Sequence, residues 1–477
     1  MRFPSIASAR ISVSSHRPNP QPPIPNPARM LALPFMSRPP RAISSAVQWT
    51  ICAVAAMGFL FDIYVVLVGP LILQPALAEL GALRPGTAEY RDWAGLLFWI
   101  PPLAGGFCGL WGGYLADRFG RRRILTYSIL VYAVCATASG LAGRVESLLL
   151  FRTLSFAGTC VEFVAAVAWI AEIFPDPKTR EAALGYTQAF SSLGGVLTAG
   201  AFYVANRWGS ALPAIHGTHS AWRYALIAGV APAIPLALIR PFLPESPQWE
   251  RQRIEGTLKR PSIRELFSPE FRRVTIVTAL LFACAYGAAF GTIQQSPQIT
   301  PGLAEVAQLA PAARGQAISS VQGAQETGGL AGRIVLAALA LMVVSRRRLL
   351  RMFLIPGLAI VPVVFLYTAT HSLDMFRIGI FFAGFTTVAQ LTFWGNYLPR
   401  VYPVHLRGTG EGFAANVGGR MLGTSAALAT THLAALMPGV SPSSRLTHAA
   451  TVVGIGVYVL ALALTFLLPE PPVELPE

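Results

Sequence analysis

The stretch Gly113-Tyr114-Leu115-Ala116-Asp117-Arg118-Phe119-Gly120-Arg121-Arg122-Arg123 connects two long apolar blocks of the chain. Of the 477 residues, 53% are hydrophobic and only 12% are charged. A soluble globular domain carries about 25% charged residues, so this chain cannot cover a water-facing surface in the usual way. A bilayer-spanning helix needs about 20 apolar residues in a row. The pattern therefore predicts an all-α membrane protein in which residues 113–123 form a short basic loop.

Apolar blocks recur twelve times after the first 44 residues and predict twelve transmembrane helices. Their expected spans are 48–74, 93–116, 123–143, 147–174, 182–206, 222–243, 273–295, 317–344, 351–371, 375–399, 409–436 and 448–468.

The longest internal loop, residues 244–272, divides the blocks six and six. The two halves are similar in sequence. Residues Asp117 to Leu125, after the second block, correspond to Met342 to Leu350, after the eighth. Two homologous six-helix halves place a binding site at their interface in many transporters. We expect pseudo-symmetric bundles at 45–243 and 273–468, joined by the cytoplasmic linker 244–272.

The chain ends differ from the bundles in composition. Residues 1–44 contain no acidic residue and are rich in Ser, Pro and Arg. They are too polar for a signal peptide, which leaves a disordered tail, a targeting peptide or a start codon assigned too early. Residues 469–477 are expected to form a short tail.

The net charge of +15 resides in the loops between apolar blocks. The second, fourth, sixth, eighth and tenth loops are rich in Lys and Arg, which marks the cytoplasmic side of a membrane protein. We expect a multi-pass protein of the cell membrane, inner or plasma, with both termini cytoplasmic, and no nucleic-acid partner.

Several stretches resemble known families. Residues 113–123 resemble the signature loop between helices 2 and 3 of the major facilitator superfamily. Within it, the chain resembles sugar porters and the metabolite–proton symporters for organic and aromatic acids. The supporting stretches are Arg152 standing 20 residues before Glu172, Trp222-Arg223, Pro244 to Trp249, and Arg407-Gly408-Thr409-Gly410 with Gly419-Arg420.

The basic loop predicts a cytoplasmic gate. Gly113 is expected to let two helices approach closely and Gly120 to permit a tight turn. The resemblance implies ion pairs between the halves, of which Glu172 with Arg407 is retained. In relatives, a Glu pairs with the arginine that corresponds to Arg180. Arg400 stands at the position of that Glu, so we expect this second pair to be missing. The predicted gate residues are Gly113, Asp117, Arg118, Gly120, Arg121, Glu172, Arg180 and Arg407.

Charges within the apolar blocks are costly and therefore functional candidates. At about 1.5 Å per residue, Asp62 and Arg152 lie at similar depths in the outer half. The resemblance to sugar porters implies that this pair couples transport to protons. The alternative is a static ion pair that only holds helices together.

By the same estimate, three further charged residues lie near the middle of the membrane and are predicted to bind the solute: Glu162, Arg333 and Arg420. Two arginines suit an anionic substrate, because a guanidinium binds a carboxylate bidentately. The alternatives are a structural Glu162, an Arg333 paired with Glu326, and an Arg420 that serves packing. The resemblance to sugar porters implies solute contacts from Gln294 and Gln295, and Trp394 and Asn396 in the tenth block are predicted to line the same site.

The predicted function is proton-coupled uptake of a small organic acid or related metabolite by alternating access. A sugar–proton symporter or facilitator is the alternative within the class, and a non-transporting solute receptor on the same fold is the alternative outside it. The sequence shows no nucleotide-binding loop and no catalytic constellation, so an enzyme is not expected. We expect a monomer whose partners are a solute, protons and lipid, with no cofactor and no metal.

Overall fold

The computed structural model describes residues 44–174, 176–255 and 263–471, which are helical apart from loops and one isolated bridge between Ile215 and Thr218. The predicted tail before Ser44 and residues 472–477 lie outside this range. Twelve long helical segments follow the order of the predicted blocks. They are α1 Ser45–Gly81, α2 Ala88–Phe119, α3 Arg121–Gly140, α4 Val145–Ile173, α5 (Pro177–Ser191 and Leu193–Trp208), α6 Ala221–Phe242, α7 Arg272–Gly302, α8 Pro311–Met342, α9 Arg346–His371, α10 Leu373–Val401, α11 (Val404–Phe413, Ala414–Gly423 and Ser425–Leu433) and α12 Pro442–Thr465.

Nine of these helices, within the described part of the chain, are apolar and long enough to cross a bilayer by composition alone. The other three are α5, α8 and α11. Helix α5 is interrupted at Ser192, and the middle of α11 is a π-helix over Ala414–Gly423. Helix α8 carries Gln322, Gln325 and Glu326 among its buried residues. These three helices thus combine a membrane-spanning length with polar or irregular stretches.

The helices form the two predicted bundles, each with its own apolar core. The first bundle packs α4 against α2 and α3, and the second packs α8 against α10 and α7 against α11. Glycines allow the closest approach. A Cβ at Gly328 or Gly332 of α8 would collide with the carbonyl oxygens of Phe381 and Phe385 in α10. Interhelical packing through small residues is the usual solution in a membrane, where apolar burial alone does not favour association.

The two bundles contact each other at the end opposite the loop 113–123. There the Tyr90 hydroxyl donates to Gln298 Oε1 at 3.0 Å, and Asn206 of α5 contacts Gly315 of α8. Asp92 of α2 also faces His432 of α11 at this end, with Oδ1 3.9 Å from Nδ1. These contacts close the space between the two bundles on the side that the sequence predicts to be extracytoplasmic.

A repeated carboxylate cap supports the pseudo-symmetry of the halves. Glu245, just after α6, accepts hydrogen bonds from the backbone N–H of Arg122 at 3.1 and 3.2 Å. Glu470, just after α12, accepts from the backbone N–H of Arg346 at 2.9 Å and of Arg347 at 3.1 Å. Each carboxylate thus caps the N-terminus of the third helix of its bundle, where the helix dipole favours negative charge.

Candidate functional site

A large cavity lies between the bundles, with an empty volume of about 1520 Å³ up to its open mouth. Helices α1, α4, α5, α7, α8, α10 and α11 all contribute to its wall. Its charged lining residues are Asp62, Glu326, Arg333, Glu411 and Arg420, and its aromatic ones include Phe59, Phe163, Phe282, Tyr286 and Trp394. An apolar cavity with a few convergent charges is the usual form of a small-molecule site.

Asp62 projects from α1 into this cavity and is only 6% exposed. Neither carboxylate oxygen accepts a hydrogen bond from the described residues. The charged groups that act on it are Glu162, Arg240 and Arg420. A buried carboxylate without donors is strongly disfavoured as an anion, so Asp62 is suited to hold a proton.

The expected pair of Asp62 with Arg152 does not form in this structure. Arg152 instead donates from Nη1 to the carbonyl oxygen of Val65 at 2.8 Å, and it lines a separate, smaller pocket. The pairing was predicted from the similar membrane depth of the two residues. Residues at one depth can still face different sides of a bundle. The proton-coupling role of Asp62 and Arg152 stays a prediction.

Glu162 pairs with Arg240 instead of facing the solute cavity. Its Oε1 lies 2.5 Å from Arg240 Nη2, and both side chains are at most 1% exposed. Arg240 also donates from Nη1 to the Leu125 carbonyl at 3.1 Å. Glu162 is absent from the cavity lining, so the prediction of direct solute contact is wrong for this conformation. The alternative of a structural Glu162 stays a prediction.

Glu326 is the centre of an amide cluster in the second bundle. Its Oε1 accepts from the side-chain amides of Gln294 at 3.0 Å, Gln322 at 2.7 Å and Gln325 at 3.0 Å. Gln294 lines the cavity as predicted. Gln295 does not, because its amide nitrogen donates to the Phe290 carbonyl at 2.7 Å.

The two predicted arginines both reach the cavity. Arg333 donates to the Ser192 hydroxyl at 3.0 Å, and Arg420 donates to Asn416 Oδ1 at 2.6 Å. Arg420 also lies over the Phe163 ring at 5.6 Å. Within the described side chains, neither forms an ion pair with a carboxylate, and Arg333 is not bonded to Glu326. Both therefore keep guanidinium donors for an anion.

Trp394 and Asn396 lie on α10, as predicted. Trp394 lines the cavity, stacks on Phe282 at 4.7 Å between ring centroids, and leaves its indole N–H without an acceptor among the described groups. A buried indole N–H normally finds a partner, so this donor is available to a solute. The side chain of Asn396 lies outside the described residues.

The predicted gate loop forms a charge network within the first bundle. Arg121 Nη2 lies 2.6 Å from Asp117 and 2.7 Å from Glu172. Arg118 donates to the Tyr114 hydroxyl at 3.0 Å. The expected bridge from Glu172 to Arg407 is absent, because Glu172 pairs with Arg121 while Arg407 donates to the Tyr402 carbonyl at 3.2 Å. Arg180 begins α5, and its gating role stays a prediction.

The two gate glycines differ. Gly120 has φ of +95°, which a glycine adopts without strain, so the expected tight turn is confirmed. Gly113 does not mediate a close approach, since a Cβ there would lie 3.8 Å from Val164, an ordinary contact. The closer neighbour is Gly112, whose added Cβ would lie 3.3 Å from the Val161 Cα. The helical face was misassigned by one residue.

Three site residues were not predicted as such. Arg240 lies within the apolar block 222–243 but was not among the predicted residues, although it pairs with Glu162. Glu411 lines the cavity from α11, and Asn416 holds Arg420. The spacing of Asn416 and Arg420, four residues apart on one helix, is the signal that could have linked them.

Residues 51–428 match the family described as Major Facilitator Superfamily. A probable 4-methylmuconolactone transporter of Cupriavidus pinatubonensis is 27% identical over 65% of this chain and 68% of its own length. The 3-(3-hydroxy-phenyl)propionate transporter of Escherichia coli is 26% identical over 64% of this chain and 69% of its own. A D-xylose-proton symporter of known structure superposes with a TM-score of 0.66 at 17% identity, covering 88% of this chain and 98% of that one.

Proposed function

Because the chain belongs to the Major Facilitator Superfamily and is a membrane transporter rather than an enzyme, we propose that it takes up a small organic acid together with protons. Uptake proceeds by alternating access, in which the two bundles rock about the central cavity. The sequence expectation of cytoplasmic termini and a cell-membrane location belongs to the same proposal.

The single observation that carries the proposal is the pair of arginines in the cavity wall, neither of which forms an ion pair with a carboxylate among the described residues. Arg333 and Arg420 each have one neutral hydrogen-bond acceptor among the described residues. A carboxylate would supply the missing negative charge and accept charge-assisted hydrogen bonds. The aromatic wall of Phe163, Phe282 and Trp394 suits an aromatic or unsaturated body. A relative that transports 3-(3-hydroxy-phenyl)propionate is consistent with this chemistry.

Asp62 is the proposed proton carrier. Arg240 compensates the charge of Glu162 by a direct pair, whereas Asp62 has no such partner. Two nearby carboxylates in a low-dielectric interior resist joint ionisation, so a proton resides on the less stabilised one. Protonation of Asp62 removes the negative charge of its carboxylate, so that Arg420 can bind the solute anion. Release of the proton restores the attraction of Asp62 for Arg420 and expels the anion.

Alternation follows from the contacts between bundles. The outer ends touch through α2 with α11 and α5 with α8, whereas Glu172 and Arg121 pair inside the first bundle. The structure therefore corresponds to the inward-facing state, given the predicted orientation. Closure of the inner side would bring Glu172 towards Arg407, as the sequence implies.

The direct test is uptake by the purified protein in proteoliposomes under an imposed inward proton gradient. The solutes are 3-(3-hydroxyphenyl)propionate, 4-hydroxybenzoate and D-xylose. Gradient-driven accumulation of an acid, abolished by an uncoupler, supports the proposal. Accumulation of the sugar alone would favour the sugar symporter, for which the amide cluster around Glu326 provides hydrogen-bonding groups. Binding without any translocation would favour the receptor.

A further inference from the structure

Three arginines converge on the C-terminal end of α12, at the surface of the second bundle. Arg273 of α7 donates from Nε to the Leu467 carbonyl at 3.2 Å, and Arg347 of α9 donates from Nε to the Leu468 carbonyl. Arg351, also of α9, donates from Nε to the hydroxyl of the last threonine of α12 at 2.7 Å. The final carbonyl groups of a helix lack partners within the helix, so these bonds cap the end of α12.

Capping the helix uses only part of each guanidinium. Within the part of the chain that the structure describes, the Nη nitrogens of the three arginines form no hydrogen bond and no ion pair. The acid beside them, Glu470, instead accepts from the Ser345 hydroxyl and from the backbone N–H groups of Arg346 and Arg347. The Nη nitrogens therefore remain available to an anion from outside the protein.

The first bundle shows that capping needs fewer arginines. There Arg122, at the position that matches Arg347, donates to the Leu243 carbonyl at 3.2 Å just after α6. Thr126 stands where the second bundle has Arg351, and the first turn of α1 carries no basic residue where α7 has an arginine. Two of the three arginines in the second bundle thus exceed what the end of the helix requires.

The arginine cluster borders an exposed apolar surface. Arg273 shares a face of α7 with the exposed Ile276, three residues later, and Arg351 shares a face of α9 with the exposed Ile355, four residues later. Phe466, which lies under the Arg351 guanidinium at 4.2 Å, is 68% exposed. In a membrane, such apolar side chains face the acyl chains, while arginines at the helix ends lie at the level of the lipid headgroups.

We propose that Arg273, Arg347 and Arg351 bind the phosphate of an anionic phospholipid, whose acyl chains lie along the exposed apolar surface of α7, α9 and α12. A guanidinium binds phosphate oxygens through paired N–H groups, and basic pockets between membrane helices suit lipid headgroups. Three guanidinium groups beside one carboxylate favour an anionic lipid over a zwitterionic one. The predicted orientation places the site in the cytoplasmic leaflet. The site does not depend on what the central cavity transports.

The probe is phosphatidylglycerol, titrated against the delipidated full-length protein in detergent and followed by native mass spectrometry. Phosphatidylcholine with the same acyl chains is the zwitterionic comparison. We expect the wild type to bind phosphatidylglycerol about tenfold more tightly or better. The Arg273→Gln, Arg347→Gln, Arg351→Gln triple variant should lose this preference. Arg351→Gln alone, which leaves both carbonyl caps of α12 in place, should weaken the preference severalfold.

A charge-matched control variant carries Arg123→Gln, Arg251→Gln and Arg253→Gln, which remove three exposed charges from the same predicted side of the membrane, in α3 and the linker. It should keep the wild-type preference for phosphatidylglycerol. An equal loss in this control would overturn the proposal, because net charge rather than the cluster would then attract the lipid.

Three further outcomes would overturn the proposal. The first is equal binding of the two lipids to the wild type, which decides the matter even if the triple variant does not fold. The second is unchanged binding of phosphatidylglycerol by both the triple variant and Arg351→Gln. The third is displacement of the lipid by an equal concentration of glycerol 3-phosphate, because a soluble phosphate rather than a membrane lipid would then be the ligand.

Discussion

At the scale of the residue, Arg420 shows how the proposed anion site is built. Asn416, four residues earlier, accepts from one of its nitrogens, and Phe163 of the other bundle lies beneath the guanidinium. The neutral acceptor orients the group without neutralising it. The remaining donors point into the cavity, where a carboxylate can bind them.

Replacement of Arg420 by Gln should raise the KM for the transported acid about tenfold to a hundredfold. A hydrogen bond to a charged group contributes about 1.5–3 kcal/mol, and this substitution removes it. Arg420→Lys should recover part of the affinity, because the charge remains while the bidentate geometry is lost. Initial rates in proteoliposomes measure the effect, with the exposed Arg445→Gln as the control. An unchanged KM in Arg420→Gln would remove this residue from the site.

The buried pair of Glu162 and Arg240 is expected to behave as a unit. Removing one partner leaves an uncompensated buried charge, which costs about 3–5 kcal/mol. Glu162→Gln and Arg240→Gln should therefore each lower the thermal unfolding midpoint, and the double variant should recover much of the loss. Differential scanning fluorimetry in detergent gives the three midpoints. Additive losses in the double variant would show that the two side chains act independently.

The sequence predicted which charges are buried better than it predicted their partners. Asp62, Arg333 and Arg420 line the cavity, as expected for charges that are costly within apolar blocks. Arg152 and Glu162 do not meet the expected partners, because the rotation of a helix about its axis depends on packing.

At the scale of the element, the carboxylate caps explain a sequence repeat that the loop comparison left out. Leu243-Pro244-Glu245 and Leu468-Pro469-Glu470 occupy equivalent places after α6 and α12. The second bundle lacks the acid of the signature loop, with Met342 in place of Asp117, yet it keeps the cap. The capping interaction is thus preserved in both bundles independently of the gate.

Loss of either cap should destabilise its bundle by about 0.5–2 kcal/mol, the usual range for a helix N-terminal cap. We expect Glu245→Ala and Glu470→Ala each to lower the unfolding midpoint. The matched control is Glu250→Ala, which removes an exposed acid from the short helix Pro247–Glu255. If the control lowered the midpoint as much as the cap variants, net charge rather than capping would be the cause.

Element number and order followed directly from the apolar blocks, because the bilayer imposes a minimum helix length. The irregular segments within these helices did not follow from the apolar blocks. The break at Ser192 and the π-helix over Ala414–Gly423 arise from contacts between helices, such as Gly418 against the Ala279 carbonyl. A single-sequence pattern carries no information on such contacts. These segments lie beside the cavity, where irregular backbone is tolerated because it is not exposed to lipid.

At the scale of the whole molecule, the outer contacts between bundles set the conformation. Gly315 of α8 meets Asn206 of α5, and Gly95 of α2 meets Thr431 of α11. Small residues at these points let the outer ends close. At the end that carries the loop 113–123, Arg121 pairs with Asp117 and Glu172 of its own bundle.

A bulky residue at Gly315 should shift the population towards the outward-open state. We expect Gly315→Leu to increase labelling by a membrane-impermeant maleimide, added from outside, several-fold. The target is a cysteine introduced at the cavity residue Leu330 in a cysteine-free background. Gly200→Leu on α5 is the control, because a Cβ at that position meets no atom within 4 Å. Equal labelling in both variants would show that the outer contacts do not govern access.

The central claim is that Asp62 carries the co-transported proton. Proteoliposomes with a trapped pH-sensitive dye and radiolabelled 3-(3-hydroxyphenyl)propionate report proton and solute entry in one experiment. The account predicts that solute added outside acidifies the lumen of wild-type vesicles. Asp62→Asn should still exchange internal for external solute but cause no acidification, while Asp374→Asn, at an exposed acid near the start of α10, should behave as wild type. Acidification by Asp62→Asn equal to that of the wild type would contradict the account.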